Sequence, residues 1–378
     1  MTAVPTSGRV ARAAGLLAGV LASTLVFLLL GEILARAIGL IDRLNVHPRE
    51  LYIATDVPDL PYRLRPGFVG RPLAHREDVR INRSGTRGPE LATAETATRV
   101  LVVGDSVVFG HMLDEGETFP AQLQQEMDAR GADVEIVNAG INGYNTRTEL
   151  LFTQHYLLGL KPQMVLLGVS LNDYGRTPTL TKLGVLNQVQ ELEGGLPWLS
   201  DHSHFYLLLR WMAHRLGRST DPPDYGRGDE AGTGEAPPDP KVTAFEWALA
   251  RGNQKFYEAP HGEGWKSVRA GLRGFRDLAQ RANFDLKILI FPEEYQVDPE
   301  RYGNDRPHLA AQTAWSGLCE EYGLECLDLR PAFAEARESD GGRLFGDFQH
   351  PDRRGHDVAA RAVAEYLSGS PDSSGRRK

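Results

Sequence analysis

The sequence predicts an α/β fold: a three-layer α/β/α domain built on a mostly parallel five-stranded sheet, preceded by one N-terminal apolar helix. Three observations carry this. Five short apolar runs suited to buried strands recur along the chain, Val100 to Val103, Val134 to Val137, Met164 to Val169, Leu286 to Phe291 and Cys326 to Leu329. Longer stretches with helical spacing lie among them, Ala121 to Arg130, Arg147 to Leu158, Ser267 to Arg281 and Ala310 to Tyr322. Strands that are apolar throughout and alternate with helices are those of a parallel sheet covered on both faces. Third, the eighteen residues from Ala13 to Leu30 carry no charge, a length that can cross a bilayer, and they lack a polar face.

In chain order, residues 1–12 read as a tail and residues 13–41 as a transmembrane signal-anchor. Arg9 and Arg12 precede the apolar run while Glu32, Arg36, Arg43 and Arg49 follow it, so charge alone barely orients it. One span ahead of a large domain reads as an uncleaved anchor with the domain outside the cytoplasm. The rival is a cleaved signal peptide, because Ala35-Arg36-Ala37 has the small-x-small form of a cleavage site. Against it, the run exceeds the usual h-region and Glu32 interrupts the approach. Residues 42–97, with Pro58, Pro61, Pro66 and Pro72 among short apolar patches, read as an extended or small β arm. Residues 98–369 form the main domain. Within it, residues 217–243 are crowded with Gly, Pro and Asp and read as a disordered loop, as do the last residues, 370–378. The apolar stretch Phe205 to Leu216 just before that loop reads as a helix on the domain's own core, with a lid or a membrane contact as the weaker reading.

Composition removes several function classes. With 42 Lys+Arg against 50 Asp+Glu and no basic block, the footprint of a nucleic-acid binder is missing. Cys319 and Cys326 are the only cysteines, which excludes a disulfide scaffold or a multi-cysteine metal site. They read as two buried thiols, with a disulfide as the alternative if the domain lies in an oxidising compartment. His202-Ser203-His204 has no carboxylate or cysteine at ligand spacing, and there is no glycine-rich phosphate loop or dinucleotide fingerprint. No metal and no cofactor is expected.

In open parallel sheets, ligands sit at the carboxyl ends of the strands. The first strand ends in Gly104-Asp105-Ser106-Val107, where glycine permits a sharp turn and the serine opens a helix with its own N–H free. Taken alone, Asp and Ser here are ordinary helix caps. The second strand ends in Asn138-Ala139-Gly140-Ile141-Asn142-Gly143, and the third in Gly168-Val169-Ser170-Leu171-Asn172-Asp173. Each alone is an ordinary turn. Near the C-terminus, Asp347-Phe348-Gln349-His350-Pro351 sets a carboxylate three residues before an imidazole, the orienter-to-base relation of a serine triad.

These four blocks, in this order, resemble the SGNH (GDSL-type) hydrolase superfamily over Arg99 to Leu367, about seven-tenths of the chain. The resemblance implies a flavodoxin-like sheet and a serine esterase or acyl hydrolase working through an acyl-enzyme. It implies Ser106 as nucleophile, with Asp347 and His350 completing the triad. The Ser106 and Gly143 N–H groups and the Asn172 amide would form the oxyanion hole. Val107 stands where the family usually has leucine, and Asp352 where asparagine or serine often follows His-Pro; neither touches that chemistry. The segment Ile81 to Glu90 (INRSGTRGPE) is similar to the lead-in of membrane-anchored bacterial members. The expected partners are therefore an acyl-ester substrate on a glycan or lipid, and a membrane through the N-terminal helix. The alternatives are an O-acyltransferase of envelope polysaccharide using the same triad, and a non-catalytic envelope assembly component. His350 is read as the base, and His356, at a helix start, as a packing or substrate-contact residue.

Overall fold

The structure, a computed structural model, describes residues 7–39, 49–71, 77–92, 98–170, 173, 177, 179–181, 184–186, 197–217, 239–242, 263–303 and 309–369. It begins with helix α1 (Ser7–Ala37), whose apolar window Ala14–Ala37 has a mean hydropathy of 2.2 and is largely exposed. The arm then forms two small antiparallel pairs, β1 (Tyr52–Ala54) with β2 (Tyr62–Leu64) and β3 (Val69–Gly70) with β4 (Val79–Arg80). The domain follows as β5 (Thr98–Gly104), α2 (Ser106–Phe109), α3 (Phe119–Ala129), β6 (Val134–Gly140), α4 (Thr146–Phe152) and β7 (Met164–Val169). A hairpin, β8 (Thr179–Thr181) with β9 (Gly184–Leu186), and helices α5 (Pro197–His202) and α6 (His204–Gly217) come next. The chain closes with α7 (Glu263–Ala282), β10 (Asp285–Ile290), α8 (Ala310–Tyr322), β11 (Glu325–Asp328), α9 (Arg330–Asp340) and α10 (Arg353–Gly369).

All five expected strands form one sheet in the order β11-β10-β7-β5-β6, every pairing parallel. Side chains alternate across a strand, so β5 feeds two cores. Leu101 and Val103 join Phe152 of α4, Phe275 of α7, Trp315 of α8 and the arm's Tyr52 and Tyr62 on one face. Val100 and Val102 join Leu123 of α3, Phe333 of α9 and Val363 of α10 on the other. The three layers follow from that alternation. Helix α7 shows why such segments are helical: Trp265, Val268, Leu272, Phe275 and Ala279 recur at three- and four-residue spacing and are buried.

Four expectations need amendment. The helix expected over Arg147 to Leu158 leaves α-geometry after Phe152 and continues as a π-turn over Thr153–Leu157. There the Thr153 hydroxyl bonds back to the Glu149 carbonyl at 2.8 Å, a contact that bends helices. The two cysteines are not free thiols: Cys319 and Cys326 form a disulfide. Gly323, in the left-handed region at φ +63°, turns the chain from α8 into β11 and leaves the two Cα atoms 6.2 Å apart, within bridging range. Residues 218–238 and 243 of the expected loop lie outside the described residues, but residues 239–242 are packed, with Val242 buried and Asp239 paired to Arg301 at 3.0 Å. Finally, α6 packs on α1 as well as burying its own Leu207: its Phe205 ring sits edge-on to Phe27 of α1, 5.6 Å between centroids. The tail 370–378 is also outside the described residues.

Candidate active site

The sheet order reverses direction around β5, with β6 on one side and β7 on the other, which places a crevice at their carboxyl ends. The turn from β5 into α2 must be tight. A Cβ on Gly140 would lie 2.2 Å from the Phe109 backbone nitrogen, so only glycine at the end of β6 lets α2 rest there. Asp105 caps α2 by accepting the Val107 N–H at 2.8 Å, which leaves Ser106 as the first helical residue, 7 % exposed.

The second half comes from the turn between α9 and α10. Phe345 and Pro351 bridge, and the Gly346 N–H donates to the His350 carbonyl at 2.8 Å. Inside that closed turn Asp347 Oδ1 accepts the N–H groups of Gln349 at 2.9 Å and His350 at 2.8 Å, a side-chain turn of the kind aspartate makes. Its other oxygen meets His350 Nδ1 at 2.8 Å, and His350 Nε2 lies 2.9 Å from Ser106 Oγ. Burial raises the Asp347 pKa, but the hydrogen bond and charge of His350 and the two N–H donors outweigh it and bring it down to about 2. The carboxylate is therefore ionised across the neutral range.

A family model described as the GDSL-like Lipase/Acylhydrolase family matches residues 102–358, about two thirds of the chain. The chain belongs to that family. It is accordingly a hydrolase of carboxylic esters by class. Among solved structures, an acetyl xylan esterase is 15 % identical, with a TM-score of 0.39 over 71 % of this chain and 99 % of that one. A mutant of an acetyl-xylooligosaccharide esterase from Geobacillus is 14 % identical, with a TM-score of 0.40 over 74 % of this chain and 98 % of that one. A psychrotrophic esterase from Pseudoalteromonas, inhibited by monoethylphosphonate, is 12 % identical, with a TM-score of 0.37 over 71 % and 96 %. No curated protein matches the chain.

Of the sequence-predicted site residues, the hydrolase brings Ser106, His350 and Asp347 into one chain of contacts. Gly143 is in the left-handed region at φ +77°, and its loop is tied to the turn from β5 into α2 by the Ile141 N–H, which donates to the Gly104 carbonyl at 3.0 Å. Asn172 lies outside the described residues. His356 is fully buried at the start of α10, where Nδ1 accepts the Phe119 N–H at 2.6 Å. Burial, reinforced by the charges of Arg87 and His350, holds its pKa down to about 3, so it is neutral. Asp352, the departure after His-Pro, accepts the N–H groups of Arg354 and Gly355 at 2.9 and 3.0 Å and caps α10.

Sequence reasoning missed three contributors. Arg87, in the INRSGTRGPE segment, is buried and donates to the carbonyls of Phe109 at 2.8 Å and Gly110 at 2.9 Å, the frayed end of α2. Tyr62 of β2 donates to the Asn142 carbonyl at 2.8 Å, and Tyr144 donates to the Tyr62 carbonyl; the arm thus holds the loop that carries Gly143. The usual signal of buried tyrosines, a hydroxyl needing a partner, does not say which carbonyl it will meet. Third, Asp105, Asp173 and Glu149 share one buried region behind Ser106. Burial first, then the Asp105 charge, raises Asp173 to about 8, and burial with both neighbours raises Glu149 well above the usual range. Asp173 accepts Thr146 Oγ1 at 3.0 Å and the Ser170 N–H at 2.7 Å, and the Ser170 hydroxyl donates to Asp105 at 3.3 Å. These bonds tie the strand ends of β5 and β7 together. A cavity of about 870 Å³ opens at the opposite end of the sheet, lined by Thr98, Val134, Met164 and Asp285, away from all of these groups.

Proposed function

We propose that this hydrolase cleaves acyl esters through an acyl-enzyme on Ser106, from a domain held outside the cytoplasm by α1. The observation that carries the reading is the continuous relay from Ser106 Oγ through His350 to Asp347, at 2.9 and 2.8 Å. The ionised Asp347 favours the tautomer with the proton on Nδ1, so Nε2 is the lone pair facing the serine. As Ser106 Oγ attacks the ester carbonyl, His350 takes its proton and then passes it to the departing alcohol. The oxyanion is met by the N–H groups of Ser106 and Gly143 and by the Asn172 amide, each worth about 3 kcal/mol of transition-state stabilisation. A water deprotonated by the same histidine releases the acid. The Cys319–Cys326 disulfide supports the placement, since disulfides persist in oxidising compartments.

The test uses the full-length protein in detergent. A fluorophosphonate probe should label the wild type and leave Ser106→Ala unlabelled. p-Nitrophenyl esters of graded chain length, beside acetylated polysaccharides and an acceptor sugar, then separate short-acyl hydrolysis from long-acyl hydrolysis and from transfer. A folded protein that neither takes the probe nor cleaves any ester would sink the proposal.

A further inference from the structure

Glu32 is the one acidic residue in the apolar window of α1, and an acid there is costly unless it is paired. It is used to hold another helix. Its carboxylate accepts the Ser203 hydroxyl at 2.7 Å and the first N–H groups of α6, His204 at 3.1 Å and Phe205 at 3.0 Å, while Arg36 donates to it at 2.6 Å. Arg36 also donates to the His202 carbonyl at 2.8 Å, the last residue of α5. A carboxylate from a separate helix thus caps α6 and offsets its positive end. Packing agrees: a Cβ at Gly31 would lie 2.7 Å from the Phe205 ring, so glycine opens the notch that the ring fills.

Glu32 precedes the end of the window, Ala37, by five residues, about 8 Å along a helix axis. The start of α6 is therefore pinned at the depth where a span meets the headgroups. On the described part of α6, Leu209 and Met212 share a stripe at i, i+3 and stand 41 % and 42 % exposed; Trp198 of α5 is 68 % exposed. On α1, in the helix that Glu32 ties to α6, Ile33 and Leu34 are exposed as well, so both helices present apolar side chains near their junction. Over its fourteen residues α6 has two arginines, two histidines and no acidic residue, and it is too short to span. Basic, apolar and interfacial in length, such a helix suits an anionic lipid surface.

We propose that α5 and α6 form a second membrane contact, lying in the bilayer interface beside the root of α1 with Trp198, Leu209 and Met212 toward lipid, and that Glu32 locks the catalytic domain to its anchor in one orientation. The proposal rests on the reading of α1 as a retained span.

The experiment places the full-length protein in nanodiscs of phosphatidylethanolamine and phosphatidylglycerol. With both native cysteines disulfide-bonded, single nitroxide labels go on Leu209→Cys, Met212→Cys, Val20→Cys in α1 and Glu338→Cys on α9. Accessibility to oxygen and to a water-soluble nickel chelate is then read by electron paramagnetic resonance. Labels at 209 and 212 should favour oxygen over nickel several-fold, as the label at 20 does, and unlike the label at 338. Glu32→Ala should raise the mobility of the label at 209 while esterase turnover in detergent stays unchanged. Labels at 209 and 212 as open to nickel as that at 338, with 20 in lipid, overturn the second contact and spare the anchor. A label at 20 open to nickel overturns both. Labels at 209 and 212 closed to both reagents would mean a protein partner instead and also overturn it.

Discussion

His350 and His356 lie six residues apart in the same C-terminal segment, and the fold gives them opposite surroundings. The His350 ring is 18 % exposed, holds an ionised carboxylate on one nitrogen and faces Ser106 with the other. The His356 ring is sealed between α10 and α3, accepts one backbone N–H and stays neutral down to about pH 3. The difference comes from the backbone. A closed turn carries His350 to the crevice, whereas Asp352 starts α10 and commits His356 to the helix face that packs on α3. An imidazole becomes a base through a partner and an open side; with neither, it is a core residue with one polar atom to satisfy.

The largest effect that could break this contrast is on turnover. His350→Ala should lower kcat for a short ester by about 10⁴-fold or more, with a melting temperature near that of the wild type. His356→Ala should keep turnover within about tenfold and lose stability instead, by about 1–3 kcal/mol, because the buried Phe119 N–H loses its acceptor. A well-folded but inactive His356→Ala beside an active His350→Ala would reverse the assignment. Next in size is Asp347→Asn, which should cost on the order of 10³- to 10⁴-fold in kcat by allowing the wrong tautomer; an unchanged rate would reduce the carboxylate to a turn former. Asn172→Ala should lower turnover by roughly 10²- to 10³-fold without unfolding the domain, and wild-type turnover in the purified variant would remove it from the oxyanion hole.

The smallest effect sharpens the comparison through pH. The folded pKa of His356 is depressed from 6.5 to about 3, so the unfolded chain binds the extra proton. Its contribution to stability is present above about pH 6.5 and is lost as pH falls toward 3. Asp347, lowered from 3.8 to about 2, contributes stability above about pH 3.8 that is lost as pH falls through 2. Denaturant midpoints measured from pH 7 to 2.5 should therefore slope for the wild type and flatten between pH 6.5 and 4 in His356→Ala. An unaltered slope in that variant would mean that the ring is not buried neutral.

Much of this was legible in the chain. All five strand runs became strands, because residues buried on both faces of a parallel sheet must be apolar at every position. Ser106, Asp347 and His350 were readable because each sits where a strand or turn ends and its chemistry is specific to its side chain. Asp105 shows the limit: aspartate beside serine suited both a cap and a catalytic block, and here it caps α2 while Ser106 meets His350. The cysteines show another. Seven residues apart, they could pair or stay free, and the left-handed turn at Gly323 chose the bond.

By itself, the sequence determined the α/β architecture and the apolar first helix and carried Ser106, Asp347 and His350 as candidates, since periodicity and side-chain chemistry are local properties. Only the tertiary structure decided what rests on contacts between distant segments. Tyr62 on the loop that carries Gly143 spans 80 residues, Arg87 on the end of α2 spans 22, and Glu32 on the first turn of α6 spans more than 170. Each joins a side chain to a backbone carbonyl or N–H, groups that every residue carries alike, so which of them would meet was settled by the packing of the layers.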